Sequence, residues 1–504
     1  MSKSYEMDMS RGAIFPKLLA FSLPLMLSGI LQLLFNAADV IVVGRFVGSD
    51  QMAAVGSTSS LINLIVNFFG GLSVGVSVLA AQNYAAGQGK ELSKTISTAF
   101  MTALLSGLLL ILIGTALARP LLELMGSPSN VIEYSTIYLR IYFLGMPALM
   151  VYDFTAGILR AAGDTKRPLY YQLAAGAVNV ALNLLFVLVL RIGVAGVAIS
   201  TTISQIISAF CLFLVLVRDK GKLHLDLKRL RIYPDKLRSI IRVGLPAGLQ
   251  GTVFSLSNVV IQSAINSFGS VAMAGATASQ NIEGFVYIAM NSIYQTNLSF
   301  TSQNIGAGKY SRINRILLDC LGAVTLIGLV LGGLVNLFAP QLLTFYTTDP
   351  EVARFARERL FLITAPYFLC GIMDTIVGSL RGIGYSLEPM LVSLIGACGS
   401  RILFIMTLFQ LPYFHSLHWL YIGYPVSWAL TFACHLAIFI LVRRRLPKTD
   451  TPEVALSEDN MLPRSKDPFA KGRYRRCYMA GVRARHKAVR KRRKRGQRGL
   501  MPVA

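Results

Sequence analysis

Twelve apolar runs constrain this chain more than any other feature of its sequence. Each run has about 18 residues or more, which is enough for one helical crossing of a bilayer. In lipid, only helices and closed barrels satisfy every backbone hydrogen bond, and the runs lack the alternating polarity of barrel strands. We therefore predict an all-α membrane protein with twelve transmembrane helices. The predicted spans are 14–43, 55–82, 95–118, 132–158, 168–190, 194–217, 240–266, 273–301, 316–339, 357–379, 388–410 and 418–442.

The composition excludes several other classes of protein. Charged residues make up 14% of the 504 residues, against about 25% in a soluble protein, and 54% are hydrophobic. The sequence has no GxxxxGK[ST] loop for ATP phosphates and no HExxH zinc motif, and its six cysteines show no metal-binding spacing. We therefore predict a protein that is not an enzyme and has no organic cofactor. The first apolar run is too long for a signal peptide, so we expect a multi-pass protein of the plasma or inner membrane.

The basic residues predict the orientation of the spans. If the N-terminus is cytoplasmic, the cytoplasmic segments hold 41 of the 49 lysines and arginines. Cytoplasmic loops of membrane proteins carry such an excess of positive charge. An even number of spans then places the C-terminus in the cytoplasm as well.

The chain repeats itself at an offset of about 221 residues. The matching segments are Ser22-Leu23-Pro24 with Gly244-Leu245-Pro246, the run 82–87 with 303–308, and the run 153–168 with 374–389. This agreement predicts a duplication of six helices. Each half has an even number of spans, so the two copies have the same orientation and a substrate site is expected between them near the membrane midplane.

These motifs resemble the multidrug and toxic compound extrusion (MATE) family. The resemblance rests on SLP and GLP at the two openings, QNYAAG with SFTSQNIGAGKY, and LRAAGDTKRP with LRGIGYSLEP, and it covers about residues 12–445. It implies a V-shaped fold of two six-helix lobes and export of organic compounds in exchange for H⁺ or Na⁺. The predicted parts are an N-lobe at 1–217, a basic cytoplasmic connector at 218–242, a C-lobe at 243–445 and a basic, disordered cytoplasmic tail at 446–504.

One carboxylate in the first span, Asp39, is the leading candidate for ion coupling. An acid within a spanning helix costs roughly 2.5–3.5 kcal/mol on insertion scales, so it is expected to face protein, water or a cation. Asn179 and Asn183 share one helix face in the fifth span, and Thr201 and Thr202 follow in the sixth. Oxygen ligands of this kind suit Na⁺ or a proton relay. The family resemblance also implies a cation site here, and Asn183 replaces an acid found in some branches, which leaves H⁺ and Na⁺ both open.

The second half has no acid at the position of Asp39, which corresponds to about Ile261. Its intramembrane acid is Glu283, for which we predict binding of a cationic substrate or a proton; the alternative is a carboxylate that serves only packing. Further candidates for the substrate cavity are Asn36, Asn258 and Gln262.

A third group of residues is predicted to be structural. Asp153 precedes Arg160 by seven residues, and Asp374 precedes Arg381 by the same spacing, which favours a cap or hinge repeated in both halves. Pro24 and Pro246 interrupt intrahelical hydrogen bonding and are predicted to be hinges or ordinary kinks.

The tail after the last span carries 20 basic and 5 acidic side chains over residues 443–504. We predict that it lies against anionic lipid headgroups rather than binding nucleic acid, because it leaves the membrane directly from the last helix.

The resulting prediction is a monomeric secondary antiporter that exports amphiphilic, cationic organic molecules by alternating access. The alternative within related folds is a lipid-linked sugar flippase, for which Arg140 and Arg401 are the available span arginines. A membrane-embedded enzyme and a protein that tethers nucleic acid through its tail are less favoured.

Overall fold

A computed structural model of the chain describes residues 5–125, 131–447 and 449–451. Most of the predicted basic tail therefore lies outside the described residues. Within them, the regular secondary structure is helical throughout. The twelve long helices are α1 (Ile14–Phe46), α2 (Ser49–Ala85), α3 (Gly89–Leu124), α4 (Ile132–Leu144 and Met146–Ala161), α5 (Lys166–Val189), α6 (Val194–Arg218), α7 (Pro234–Asn266), α8 (Ser270–Gly306), α9 (Tyr310–Leu337), α10 (Pro350–Thr364 and Phe368–Ile383), α11 (Leu387–Gln410) and α12 (Leu417–Arg445).

These twelve helices confirm the predicted all-α membrane fold. Among the described residues, eight are individually long and apolar enough to cross a membrane, and the bent pairs that form α4 and α10 bring the number to ten. The other two, α7 and α8, are more polar but have 33 and 37 residues. At 1.5 Å per residue they are about 50 Å long or more, which exceeds the roughly 30 Å of bilayer hydrocarbon.

Bends at equivalent places support the duplication. Helix α4 bends by 47° at a break that Pro147 follows, and α10 bends by 44° at a break that contains Pro366. In both halves a neighbouring glycine lets another helix approach the bend. A Cβ on Gly107 of α3 would lie 2.3 Å from the Cα of Pro147, and one on Gly328 of α9 would lie 2.8 Å from the Cα of Phe368. The two six-helix units therefore repeat their packing as well as their sequence.

The lobes exchange the cytoplasmic halves of their first helices. The beginning of α1 contributes Leu18 and Phe21 to the core of the C-lobe, while its end contributes Val43 to the core of the N-lobe. Helix α7 does the reverse, with Ile240 in the N-lobe core and Ile261 in the C-lobe core. A division of the chain by sequence assigns each of these helices to one lobe only, because periodicity does not show which partner a helix packs against.

Four glycines form a tight seam between the lobes, where α2 crosses α7. Gly71 and Gly75 of α2 face Gly244 and Gly248 of α7. A Cβ on Gly71 would lie 2.1 Å from the backbone nitrogen of Gly248, and one on Gly75 would lie 2.3 Å from the carbonyl oxygen of Ile240. Small residues spaced by four let membrane helices approach until their backbones touch. The seam therefore holds the cytoplasmic halves of the two lobes together.

The N-terminal segment that precedes α1 also joins the two lobes. The backbone nitrogen of Met7 donates to the carbonyl oxygen of Ala162 in the N-lobe at 3.1 Å. The backbone nitrogen of Met9 donates to Gln303 Oε1 in the C-lobe at 3.0 Å, and the Met9 carbonyl accepts from Asn304 Nδ2 at 3.1 Å. Met9 is fully buried. The QN motif at the end of α8 thus anchors this segment across the cytoplasmic face of the interface.

Candidate functional site

Asp39 lies inside the N-lobe among neutral donors. Its side chain is on α1, and only 6% of the residue is exposed. Asn183 Nδ2 of α5 donates to Asp39 Oδ1 at 2.5 Å, and Thr201 Oγ1 of α6 donates to Asp39 Oδ2 at 3.3 Å. Among the described residues, no lysine or arginine forms an ion pair with this carboxylate. When the carboxylate is ionised, only the dipoles of these neutral groups solvate it.

Asn179 completes the group around Asp39. Its Nδ2 donates to Thr201 Oγ1 at 3.3 Å, and its Oδ1 accepts from Asn183 Nδ2 at 3.4 Å. Four of the five residues predicted for the cation site thus form one connected network. Thr202 is directed elsewhere, because its Oγ1 donates to the carbonyl oxygen of Ile141 in α4 at 3.2 Å. The structure therefore separates Thr202 from the predicted group and gives it a role in packing α6 against α4.

Local sequence explains how α1 and α5 approach closely enough for this network. Gly176 lies on α5, one turn before Asn179, and faces the ring of Phe35 on α1. A Cβ at Gly176 would lie 1.9 Å from Phe35 Cε2, so only glycine permits this approach. Beyond Asn183, the helix continues as a π-helical turn, Leu185–Val189. Such turns are often found next to functional sites.

The oxygen atoms at Asp39 form a set that a small hard cation can use. They are the two carboxylate oxygens, the hydroxyl oxygen of Thr201 and the amide oxygens of Asn179 and Asn183. Asn183 Oδ1 is buried and has no hydrogen-bond partner. A buried acceptor without a donor is costly, and a cation or a protonated group would satisfy it. One carboxylate and neutral oxygens fit Na⁺, and the same carboxylate is a site for a proton.

Asn36 lies where α1 and α8 face each other across the two lobes. In the same interface Gly29 of α1 lies against Ile288 of α8, and Leu33 of α1 lies against Gly284. Asn36 follows Gly29 by seven residues and is exposed, so it lies on the same helix face just beyond these contacts. The role of Asn36 in a substrate cavity stays a prediction.

Glu283 forms an ion pair inside the C-lobe, which its sequence context does not predict. Both carboxylate oxygens accept from Arg359 of α10, with distances of 3.1 Å to Nη1 and 3.0 Å to Nη2. Arg359 is only 2% exposed and also donates to Ser279 Oγ at 3.0 Å. In this conformation Glu283 is neutralised inside the C-lobe, so it does not offer a free carboxylate to a cationic substrate. No spacing rule predicts this partner, because Arg359 follows Glu283 by 76 residues.

The other candidates of the C-lobe lie on α7. Gln262 Nε2 donates to Asn266 Oδ1 at 2.9 Å, and Gln262 Oε1 accepts from Gln280 of α8 at 3.1 Å. Gln262 therefore connects the extracellular ends of α7 and α8. Asn258, one turn earlier on α7, is exposed.

The predicted structural residues lie near the cytoplasmic side of both lobes. Asp153 and Arg160 interact electrostatically along α4, as Asp374 and Arg381 do along α10. Arg381 also donates to Tyr294 Oη at 2.6 Å and to Gln250 Oε1 at 2.9 Å, which links α10 to α8 and α7. Pro24 and Pro246 are both buried, each in the exchanged half of its helix.

Comparisons with known proteins agree with the repeated architecture. The MatE family model matches residues 24–185 and 246–407, once in each lobe. The chain is 30% identical over 432 residues to the "Probable multidrug resistance protein YoeA" of Bacillus subtilis, covering 84% of this chain and 92% of that protein. It is 22% identical over 458 residues to the "Multidrug export protein MepA" of Staphylococcus aureus, covering 88% and 97%.

A solved structure shares the fold. It is described as an "Outward-facing conformation of a multidrug resistance MATE family transporter of the MOP superfamily" and superposes with a TM-score of 0.81 at 20% identity. The superposition covers 89% of this chain and all of that one. The two-lobe arrangement is therefore common to both proteins.

Proposed function

Because this chain belongs to the multidrug and toxic compound extrusion (MATE) family of membrane transporters, we propose that it exports amphiphilic, cationic organic molecules in exchange for a cation bound at Asp39. The observation that carries the proposal is the buried, unneutralised carboxylate of Asp39 with its amide and hydroxyl partners. Relatives named as multidrug export and resistance proteins support the export of organic compounds, and the carboxylate of Asp39 favours compounds with a positive charge.

The coupling ion acts at the N-lobe network. A proton on Asp39, or Na⁺ among the oxygens of Asp39, Asn179 and Asn183, removes the uncompensated negative charge. A ligand shifts a conformational equilibrium only if it binds the two states with different affinity. An Asp39 carboxylate that exchanges its cation for the positive charge of a substrate supplies such a difference.

The interface between the lobes is the element that moves in this proposal. The glycine seam at Gly71 and Gly248 and the N-terminal segment at Met9 close the cytoplasmic half. Asn36 lies on the inter-lobe face of α1 beyond these contacts. Opening the cytoplasmic side requires the seam to separate, and substrate then enters from the cytoplasm or the inner leaflet.

A lipid-linked sugar flippase is less well supported by the contacts. Binding a pyrophosphate requires several cationic side chains that converge on one cavity. Arg140 is exposed and lines a pocket with Arg119 and Glu133 at the extracellular ends of α3 and α4. Arg401 is buried inside the C-lobe. The two arginines therefore lie in different lobes and do not form one anionic-headgroup site.

Gradient-driven efflux from proteoliposomes tests the proposal. Wild-type protein and the Asp39→Asn variant are reconstituted, and efflux of a cationic dye is followed under a pH gradient alone and under a Na⁺ gradient alone. We expect one of the gradients to drive efflux by the wild type, and the variant to bind dye but not respond to that gradient. Gradient-driven efflux by Asp39→Asn at the wild-type rate would contradict a coupling role for Asp39. Wild-type protein that moves no dye would contradict the proposed substrate class.

A further inference from the structure

We propose that Arg401 forms a binding site for a monovalent anion inside the C-lobe, at the position that corresponds to Asn179 of the cation network in the N-lobe. The proposal concerns binding and does not depend on the export activity proposed above.

The equivalence of the two positions follows from the repeat. Pro168 and Pro389, which are 221 residues apart, lie in the first turns of α5 and α11. Helix α11 then contains a π-helical turn, Leu394–Gly399, where α5 is still α-helical. A π turn holds one more residue than an α turn, so the offset after it becomes 222. Asn179 then corresponds to Arg401.

The side chain of Arg401 is buried with an unsatisfied donor. The residue is 7% exposed, and its Nε donates to Ser427 Oγ of α12 at 2.8 Å. Nη2 is buried and has no hydrogen-bond partner. The groups that face the guanidinium are neutral: the phenols of Tyr367 and Tyr424 and the thiols of Cys370 and Cys398. Within the described part of the chain, no carboxylate forms an ion pair with Arg401.

The two acids near Arg401 interact with other arginines. Glu283 faces Tyr367 and Cys370, which also face Arg401, but both of its oxygens are bound by Arg359. Asp374 also faces Cys370, and it interacts with Arg381 along α10. This C-lobe cluster, Glu283 and Asp374 with Arg359, Arg381 and Arg401, therefore has two acids and three guanidinium groups. One buried positive charge remains without an anionic partner. An isolated buried charge is strongly unfavourable, and a bound anion would balance it.

The shape of the surroundings selects the kind of anion. The ring of Tyr424 covers the guanidinium at 4.2 Å from its centroid, and the ring of Trp428 lies at 5.6 Å. Aromatic rings lie against the guanidinium and Ser427 accepts from Nε, so the Nη2 edge is the side that lacks a hydrogen-bond partner. One free edge and one excess charge suit a monovalent anion. Two sources share this chemistry: a free halide and the carboxylate of an organic compound, whose apolar part would contact the aromatic rings.

Anion-dependent stabilisation of the full-length protein in detergent tests the site. Melting temperatures are measured at equal ionic strength in chloride, in benzoate and in gluconate. Gluconate is the reference, because its hydroxylated chain has no apolar part to contact the aromatic rings. We expect chloride or benzoate to raise the melting temperature of the wild type in a concentration-dependent manner, because a ligand of the native state stabilises it. Larger stabilisation by chloride assigns the site to a halide, and larger stabilisation by benzoate assigns it to an organic carboxylate.

Variants locate the effect. Arg401→Met should weaken the apparent affinity about tenfold or more, since it removes a charge-assisted hydrogen bond. Arg401→Lys should retain binding with reduced affinity, because it keeps the charge but loses the planar fork. The control is Arg45→Met at the exposed end of α1, which should behave as the wild type. Equal melting temperatures in the three salts, or a shift that survives Arg401→Met, would overturn the proposal.

A crystallographic measurement decides the case in which Arg401→Met does not fold. Wild-type crystals are soaked in bromide, and anomalous diffraction locates the ion. A peak within hydrogen-bonding distance of Arg401 Nη2 supports the site. Bromide peaks elsewhere only, with none at Arg401, would refute it.

Discussion

The N-lobe and the C-lobe of this duplicated fold hold buried side chains of opposite charge at different positions of the repeat, Asp39 on the first helix of one and Arg401 on the fifth helix of the other. In the N-lobe the carboxylate of Asp39 is surrounded by amides and a hydroxyl, and in the C-lobe the guanidinium of Arg401 is surrounded by phenols, thiols and a hydroxyl. The C-lobe counterpart of Asp39 is the buried, apolar Ile261. Duplication has preserved the bends and glycine contacts that shape each lobe, whereas the charges inside have diverged. The comparison shows that the two halves share a helical scaffold but not the charged side chains inside it.

The largest expected effect comes from breaking the ion pair of the C-lobe. Arg359→Met leaves the carboxylate of Glu283 without its partner, and breaking a buried pair in this way costs about 3–5 kcal/mol. We therefore expect a large fall in melting temperature. The double variant Glu283→Gln/Arg359→Met should recover most of the loss. Asp39→Asn in the N-lobe should destabilise the protein much less, because Asp39 forms no ion pair that the substitution would break. Similar losses for Arg359→Met and Asp39→Asn would contradict this difference between the lobes.

An intermediate effect is expected from the amide that contacts Asp39 directly. Asn183→Leu removes the donor to Asp39 Oδ1 and the free oxygen Oδ1 of the amide. A hydrogen bond to a charged group contributes about 1.5–3 kcal/mol, so the affinity for the coupling cation should change about tenfold or more. The concentration of H⁺ or Na⁺ that gives half-maximal efflux measures this change.

The matched control is Asn336→Leu on α9, whose amide bonds Thr364 at 2.8 Å inside the C-lobe. It should leave the dependence on the coupling cation unchanged. If both asparagine variants shift that dependence equally, the N-lobe network is not the cation site.

The smallest effect separates two adjacent threonines. Thr201→Val removes one hydroxyl from the Asp39 network and should weaken cation coupling by about 1 kcal/mol, or roughly fivefold. Thr202→Val has the same change of side chain but removes a bond to the backbone of Ile141. We expect it to leave coupling unaltered. Efflux titrations of the two variants provide the comparison, and a larger shift for Thr202→Val would show that the network has been assigned to the wrong residue.

The sequence was sufficient for the architecture and for most of the N-lobe network. Long apolar runs predict transmembrane helices because only helices and closed barrels satisfy their backbone hydrogen bonds in lipid. The repeated motifs predict the duplication. Asn179 and Asn183 could be paired because a spacing of four places them on one helix face. Thr201 and Thr202 could not be ranked in this way, because adjacent residues point in different directions and only the position of α1 and α4 decides between them.

The contacts inside the C-lobe could not be predicted from sequence patterns. Glu283 and Arg359 are far apart in the chain, and no spacing rule relates them. The correspondence of Asn179 and Arg401 depends on a π-helical turn in α11, which shifts the alignment of the two halves by one residue. The amino-acid composition of this segment does not indicate the turn. The exchange of the cytoplasmic halves of α1 and α7 is likewise a property of packing between lobes.

Release of the coupling cation on substrate binding is the most direct test of the central claim, which is that Asp39 exchanges its cation for substrate. Purified protein in detergent is mixed with tetraphenylphosphonium, and the release of H⁺ or Na⁺ per bound substrate is measured for the wild type and for Asp39→Asn. We predict release of up to one cation by the wild type and none by Asp39→Asn, with substrate still bound. Equal release by both proteins would contradict the assignment of the coupling site to Asp39.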